Sequence, residues 1–413
     1  LDELKAMLAA QQAATPPAPA AAPVAAAVAA APAKPVFSTA PGVSVALHGF
    51  VSATAFQQSR SFTYGNGQNA LYPQPGSSGS VGGVDIRNTR FWLDFAGARL
   101  NDDWSGGGRI EMDFFGGFNG SGAYSQQQPT PRLRQAYMDL VNAQSGTTVR
   151  VGQMWDLMFP ITNLSTSLAH VAFPLGYGSG VIGWRYPGVV VMQDLNHGAD
   201  GAKWRLDLGV FEGHWNGPGN SLNYQTAGNA GFRPQVEARL NVTASQWLAY
   251  FATRYQALDL RGVDGHAPTP IRSKITSASY ELGGQWKPGA FTFKGFVYQG
   301  NALGNIFGAM SQFGDIDEHG GYLQAGYAFN PNWSLYATYA TARPDKTDVA
   351  TWLGAGASGL LRNQQSALAV QYASGAYQFG MEYLHAKLDS TTDGVDRHTT
   401  SGSQVSLNAM YSF

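Results

Sequence analysis

From about Val43 to Phe413 the chain alternates apolar with polar residues in short runs separated by turn-forming pieces. Trp204, Leu206, Leu208 and Val210 alternate with Lys203, Arg205, Asp207 and Gly209. Val236, Ala238, Leu240 and Val242 alternate with Gln235, Glu237, Arg239 and Asn241, and Phe91, Leu93 and Phe95 with Arg90, Trp92 and Asp94. Successive side chains of a strand point to opposite faces, so each run predicts a strand with one apolar and one polar side. The final run, Val405, Leu407, Ala409, Tyr411 and Phe413, keeps this period to the last residue. An alternation that finishes there, with Tyr411 and Phe413 on the apolar side, reads as an assembly signal for an outer-membrane barrel.

The connections predict how the strands are joined. Short turn-like pieces recur: NDDWS (Asn101–Ser105), NAQSG (Asn142–Gly146), NHGAD (Asn196–Asp200), Thr243–Ser245, KPGA (Lys287–Ala290), NPN (Asn330–Asn332) and SGA (Ser374–Ala376). Between them lie longer stretches, among them Gly65–Gly83, Gly116–Thr130, Gly213–Gly231, Gly300–Asp317 and Arg343–Leu361. Alternating short turns and long loops are the mark of membrane barrels, and about seven of one with about eight of the other predict about sixteen strands. Roughly 370 residues then leave about 23 per strand and connection, which suffices because a tilted spanning strand needs about 9–11. An even count puts both barrel ends on one side, predicted to be the periplasm, and a ring of this size encloses a channel rather than a filled core. A soluble sandwich, solenoid or propeller would use the same alternation, but no blade or coil repeat is present.

The first 42 residues differ. LDELKAMLAAQQ places Leu1, Leu4, Leu8 and Gln11 on a short a/d seam, so residues 1–13 read either as an oligomerising coiled-coil helix or as a frayed end. Residues 14–42 are rich in Ala and Pro and read as a semi-stiff spacer. The barrel is expected over 43–413. With no leader visible, the chain reads as a mature or trimmed form.

Composition fits this layout. Charged residues make up 13%, against roughly 25% in soluble domains, while aromatics reach 12% and mean hydropathy is still negative at -0.18. A chain poor in charge, rich in aromatics and not hydrophobic overall has to interleave polar and apolar residues finely, as a wall between lipid and water does. A spanning helix needs about 20 mainly apolar residues. The one long apolar run, 13–35, is broken throughout by proline. A net charge of -1 argues against a nucleic-acid partner, and the absence of cysteine excludes disulfides and thiolate metal sites.

For a channel, the chemistry lies in the charges lining the lumen. Strand parity predicts inward basic residues at Arg90, Arg109, Arg132, Arg134, Arg150, Arg185, Lys203, Arg205, Arg233, Arg239 and Arg254. It predicts inward acids at Asp94, Glu111, Asp113, Asp207, Glu237 and Glu281. An unpaired basic excess would draw anions, carboxylates in particular, through two-point guanidinium contacts. Arg–Asp and Arg–Glu pairs that cancel and only stiffen the wall are the other reading, with Arg109 beside Glu111 and Asp113 the first example. Trp92 is the one strong inward aromatic on parity.

WDLMFPITNLSTSLAHVAFPLGYGSG, from Trp155 to Gly180, is long, nearly uncharged and punctuated by Pro160, Pro174 and three glycines. Folded into the barrel it would bury Leu157, Phe159, Leu164, Val171 and Phe173 and narrow the pore, with Asp156, Leu157, Phe159, Pro160, His170, Phe173 and Pro174 as constriction residues. Packing on a neighbouring subunit is the alternative. The eight histidines are scattered, and no nucleophile elbow, H-E-x-x-H or phosphate loop is present, so no enzyme, metal or cofactor is expected.

The stretches DIRNTRFWLDF, GGRIEMDFFGG, PRLRQAYMDL and VRVGQMWDLMF, together with the preceding helix and spacer, resemble the DcaP-like trimeric porins. The resemblance is clear over about residues 84–160. It implies a homotrimer of sixteen-stranded antiparallel barrels in the outer membrane, delivered by the barrel assembly machinery and taking up small anions such as dicarboxylates. It also implies that Arg132, Arg134 and Arg150 sit in a basic pore wall and that the loop after Trp155 is the constriction. The expectation is a passive porin, with a non-selective or sugar-type pore and a structural or adhesive barrel as alternatives.

Overall fold

The computed structural model describes residues 36–40, 42–118, 128–196, 201–212, 233–259, 272–306 and 309–413. The helix expected over 1–13 and most of the spacer lie outside them. β1 (Val36–Ala40), inside the stretch expected as spacer, pairs with the start of β2 (Val43–Gln58). Within the first long loop β3 (Phe62–Thr63) pairs only with β4 (Tyr72–Pro73). The wall continues through β5 (Val81–Asp85), β6 (Arg90–Arg99), β7 (Ser105–Asp113), β8 (Arg132–Asn142), β9 (Thr147–Trp155), β10 (Arg185–Asp194), β11 (Lys203–Phe211) and β12 (Gln235–Thr243). It is completed by β13 (Trp247–Asp259), β14 (Lys274–Trp286), β15 (Phe291–Asn301), β16 (Asp317–Ala328), β17 (Trp333–Pro344), β18 (Leu360–Ser374), β19 (Tyr377–Ser390) and β20 (His398–Ser412).

Each wall strand pairs antiparallel with its sequence neighbours, and β2 pairs with β20 on one side and with β5 and β6 on the other, so the sheet closes on itself. Of its eighteen strands, β5 and β6 succeed each other along one position against β2, and β1 extends the line of β20. Among the described residues the ring therefore has sixteen positions, as the alternation of turns and loops predicts. No helix among these residues is long and apolar enough to cross a membrane.

Six of the seven short connections fall where the turn residues predict them, while 197–200 of the seventh lie outside the described residues. Asn101 Oδ1 accepts hydrogen bonds from the Asp103 and Trp104 amides at 3.0 Å, and Asn330 Oδ1 does the same for Asn332 and Trp333. In each, a short amide side chain closes the turn that the backbone would otherwise leave open. Gly375 takes φ +59 in the two-residue link between β18 and β19, a left-handed conformation that glycine adopts without steric cost.

The two faces of the wall separate cleanly. Outward positions carry exposed apolar residues such as Leu208, Val236, Leu282, Val297, Leu323 and Leu407. Near the short turns they carry Trp204, Trp247, Trp286, Trp333, Tyr377 and Tyr411, all exposed. Inward positions are buried and largely polar: Ser277, Ser279 and Glu281 on β14, Gln404, Ser406 and Asn408 on β20. The main apolar cluster lies inside the ring, where Leu71, Tyr72, Leu157, Met158, Phe159, Phe173, Tyr177 and Ile182 of the loops meet Tyr250, Phe296, Tyr298 and Tyr322 of the wall.

The seam between first and last positions depends on Gly49. Its amide donates to the Phe413 carbonyl at 3.1 Å and its carbonyl accepts from the Phe413 amide at 2.9 Å. A Cβ there would lie 2.5 Å from the Phe413 ring and 2.6 Å from the Arg90 carbonyl. Gly49→Val is therefore expected to open or strain the closure by about 1–3 kcal/mol, read as a lower urea midpoint. An unchanged midpoint would show that the seam accommodates a side chain.

Candidate functional site

The inner wall over β6 to β10 carries a ladder of charge pairs. Asp94 on β6 receives two bonds from Arg109 on β7, at 2.7 and 2.9 Å. Asp113 on β7 receives two from Arg132 on β8, at 3.0 and 2.7 Å. Arg134 reaches Glu111 at 2.5 Å and Asp113 at 2.7 Å, with all three side chains almost wholly buried. Arg150 on β9 grips Asp139 on β8 at 2.7 and 2.8 Å. Farther round, Arg205 pairs with Asp207, Arg233 with Asp259 at 3.3 Å, and Arg254 approaches Glu237 at 4.0 Å. Two-point guanidinium–carboxylate geometry is the strongest form of this bond.

A β-bulge gives the ladder its shape. Glu111 faces Gln135 and Met112 faces Leu133, so Arg134 is the extra residue on β8. An extra residue reverses the parity of all that follows. Arg132, Arg134 and Gln135 thereby share one side with Tyr137 and Asp139, while Leu133 and Met138 are exposed on the other. Parity read across the bulge without it hides Asp139. The expected balance of eleven inward cations to six acids is corrected accordingly. Asp139 and Asp259 also pair with predicted cations, and Glu318, Glu382 and Lys294 also lie on inward positions.

The segment after Trp155 crosses the inside of the ring and is fastened to strands far apart in the sequence. The Leu157 amide donates to Glu237 on β12 at 2.5 Å, and Arg239 donates to the Phe159 carbonyl at 3.2 Å. Asn163 donates to the Gly295 carbonyl on β15 at 2.8 Å, and Lys294 Nζ to the Leu164 carbonyl and Thr166 hydroxyl at 3.0 and 2.9 Å. The Thr166 amide meets Gln324 on β16, and the Gly176 amide meets Gln365 on β18. On β19, Glu382 takes His170 Nδ1 at 2.8 Å and the Ser167 hydroxyl at 2.6 Å. Asp156, Leu157, Phe159, Pro160, His170, Phe173 and Pro174 are all buried. Asp156 holds the turn locally, accepting from the Phe159 and Trp184 amides.

Arginine and aromatic side chains join the ladder to this segment. Trp155 stacks on Phe159 with centroids 3.6 Å apart. Arg185 lies over Trp155 and Trp184 at 4.8 and 4.6 Å, Arg134 over Trp155 at 5.5 Å, and Arg132 over Phe173 at 5.5 Å. Arg239 covers Tyr250 at 4.0 Å. Such contacts stabilise a desolvated cation, for Arg132 and Arg134 in addition to their carboxylates and for Arg185 with no ion pair among the described residues. Arg185 Nε and Nη1 and Arg90 Nε and Nη2 are nevertheless buried without a hydrogen-bond partner.

Several participants were not singled out in the sequence. Leu71 and Tyr72, in a loop otherwise of Gly, Ser and polar residues, also fold inward, and the Leu71 carbonyl accepts from Asn363 and Gln365. Ala70, Leu71 and Tyr72 form the apolar triplet that could have flagged this. Asn88 clamps the Ala169 carbonyl and Ala172 amide at 2.7 and 3.1 Å. Trp92 is inward, stacked on His48 with Arg109 over it at 5.4 Å. It is joined inside by Tyr250, Phe296, Tyr298 and Tyr322, which back the crossing segment. Lys203 is exposed beside the short-turn end, and Glu281 accepts from the Tyr250 hydroxyl at 2.5 Å. Tyr411 and Phe413 face outward at the seam. Among the described residues no group of three or more His, Asp or Glu could hold a metal ion.

No family model matches the chain, and no curated protein matches it in sequence. Solved structures match its fold. The outer membrane channel DcaP of Acinetobacter baumannii superposes with a TM-score of 0.68 at 17% identity, over 91% of this chain and 99% of that one. OmpT of Vibrio cholerae in its trimer form gives 0.55 at 12% over 90% and 100%. OmpF of Salmonella typhi in complex with daunomycin gives 0.57 at 12% over 92% and 100%.

Breaking a buried ion pair from one side strands the other charge and costs about 3–5 kcal/mol. Arg134→Met is expected to destabilise the barrel by that order in urea unfolding, and adding Glu111→Gln to it should restore part of the loss. Equal stability of Arg134→Met and the unaltered chain would show that Glu111 and Asp113 do not depend on Arg134.

Proposed function

We propose that the chain is an outer-membrane porin, a trimer of sixteen-stranded barrels through which small hydrophilic solutes diffuse passively, with a bias toward small anions such as dicarboxylates. The observation that carries the reading is the inverted distribution of polarity, with an exposed apolar outside and a charged, hydrogen-bonded inside. A closed ring with that distribution suits lipid around it and solute within it. The aromatic residues near the short turns suit a membrane interface, and the shortness of these turns supports reading them and the Phe413 end as periplasmic. The matched folds include a protein named an outer membrane channel and one in trimer form, which supports the same assignment.

The anion bias rests on local imbalance rather than on a generally basic wall. Most predicted arginines are neutralised by a carboxylate, as the pairing alternative held. Around the bulge the balance fails: Arg90, Arg132, Arg134 and Arg185 neighbour one another with Glu111 and Asp113 between them, four cations against two carboxylates. The excess of two, with unfilled donors on Arg90 and Arg185, suits an acid with two carboxylates. The segment from Trp155 to Gly180 is the constriction that brings solute to it.

Two measurements test this. Arg90→Gln with Arg185→Gln removes the two guanidiniums that keep unfilled donors, Arg90 lying 3.9 Å from Glu111, and should lower the anion-to-cation permeability ratio, from reversal potentials in a KCl gradient, by about ten-fold. An unchanged ratio would remove these guanidiniums from selectivity, and a silent bilayer with folded protein would favour the adhesive barrel. Glu382→Leu frees His170 and Ser167 and should loosen the constriction, seen as larger and noisier single-channel conductance. Identical traces would mean that the remaining tethers alone hold it.

A further inference from the structure

On the outside of the wall, β16 to β20 depart from the apolar rule at their loop ends. Counted from the short turns, outward positions are first apolar: Tyr372, Val370 and Leu368 on β18, with Phe379, Met381 and Tyr383 on β19. The next three rungs are polar. Tyr339, Ser366, His385 and Ser403 form the first, tied by His385 Nδ1 to Ser403 at 2.9 Å. Thr341, Gln364, Lys387 and Ser401 form the second. His319 opposite Arg343, and Arg362 opposite Asp389, form the third.

These rungs are the surplus length of the strands. β18, β19 and β20 have 15, 14 and 15 residues, whereas a tilted strand crosses the hydrocarbon in about 9–11. Counting that far from Ser374 reaches Gln364–Ser366, so Arg362, Arg343 and Lys387 stand at the level where apolar chains give way to headgroups. A pocket of about 600 Å³ opens there, lined by His319, Arg343, Lys346, Arg362, Asp389 and Arg397 among others. Four carboxylates also line it, and three are engaged: Asp389 with Arg397 at 2.5 Å and the Thr399 hydroxyl at 2.7 Å, Asp345 with the amides opening the short helix Lys346–Thr351, and Glu318 with the Tyr298 hydroxyl, leaving Asp317 at the rim. Among the described residues Arg343, Arg362 and Lys387 form no ion pair, and Arg362 Nε is buried without a hydrogen-bond partner.

We propose that this pocket and the basic rungs beside it bind the phosphate of an outer-leaflet lipid headgroup, with Arg343 and Arg362 as the phosphate ligands and Lys387 beside them. The inference rests on the outer-membrane reading above. Guanidinium donors match phosphate oxygens in two-point contacts, and basic side chains at the membrane surface recognise phosphorylated lipids. The acyl chains of such a lipid would run down the apolar rungs of Leu368, Val370, Met381 and Leu407, which are exposed directly below. A neighbouring protomer is the other occupant for an outward face, but three cations without an ion pair on adjoining rungs, Arg343, Arg362 and Lys387, favour an anionic headgroup.

The test is binding of diphosphoryl lipid A to the purified protein in detergent, read by native mass spectrometry, with Arg343→Gln/Arg362→Gln as the variant. Affinity should fall by about thirty-fold, since each basic group at a lipid surface contributes on the order of one tenfold step or slightly less. Oligomeric state and single-channel conductance should not change. Lipid A stripped of its phosphates should bind the unaltered protein as weakly as the variant binds the diphosphoryl form. Equal affinity of the two proteins overturns the proposal. So does displacement of lipid by inorganic phosphate at matched concentration, which would make this a free-anion site, and so does loss of the oligomer in the variant, which would make it a protein contact. A protein that binds lipid in this way yet conducts nothing would overturn the porin reading while leaving the headgroup site standing.

Discussion

Everything in this structure follows from the need of each backbone N–H and C=O in the wall to find a partner within the wall. In a medium without water an unpaired group costs several kcal/mol, and a sheet with two free edges would leave two rows of them. Here the row on β2 is filled twice over, by β20 along Phe50–Gln58 and by β5 and β6 along the opposite side. β1 then covers Val43–Ala46, where β20 has ended. Closure also explains why side chains can invert the usual distribution: with the backbone satisfied in the ring, the outside is free to be Leu, Val and Trp and the inside to be Arg, Glu and Gln.

An inward polar face raises a second demand, since every buried charge inside must be compensated. The molecule meets it by two different means. From β6 to β9 neighbouring strands compensate each other, Arg109 with Asp94, Arg132 with Asp113 and Arg150 with Asp139. From β12 to β19 the crossing segment does so, because Glu237, Lys294, Gln324 and Glu382 bond to its amides, carbonyls and polar side chains. The same segment brings Leu157, Phe159 and Phe173 inward to meet Tyr250, Phe296 and Tyr322. It thus serves as both core and counter-group, which is why its sequence is apolar, proline-broken and almost without charge.

The sequence reveals the wall far better than its contents. A period of two and turn residues such as Asn101, Asn330 and Gly375 are local signals, and with closure they determine the count of sixteen. The inward fate of Trp155–Gly180 was legible because many apolar residues in a long loop have nowhere else to go. That of Leu71 and Tyr72 was not, because three apolar residues in a Gly-rich loop are a weak signal and their partners Asn363 and Gln365 lie some 290 positions away. Pairing of charges is also non-local: alternation tells that Arg150 faces in, not that Asp139 waits opposite.

Asp139 shows how one residue alters the electrostatic picture. Without the extra residue at Arg134, Asp139 would share the outward parity of Leu133, and Arg150 would be an unpaired cation in the lumen. With it, Arg150 is neutralised by Asp139, while Arg134, inward with or without the bulge, stands beside Arg132, Arg90 and Arg185. The bulge thereby cancels one distributed cation and leaves the unmatched positive charge in a single cluster, next to Trp155 and Trp184 at the start and end of the crossing segment. On the proposed function, a field concentrated in one buried cluster would act on a passing solute more strongly than the same charge spread around the ring. The proposed selectivity therefore depends less on how many arginines face inward than on which of them the fold leaves short of carboxylate partners.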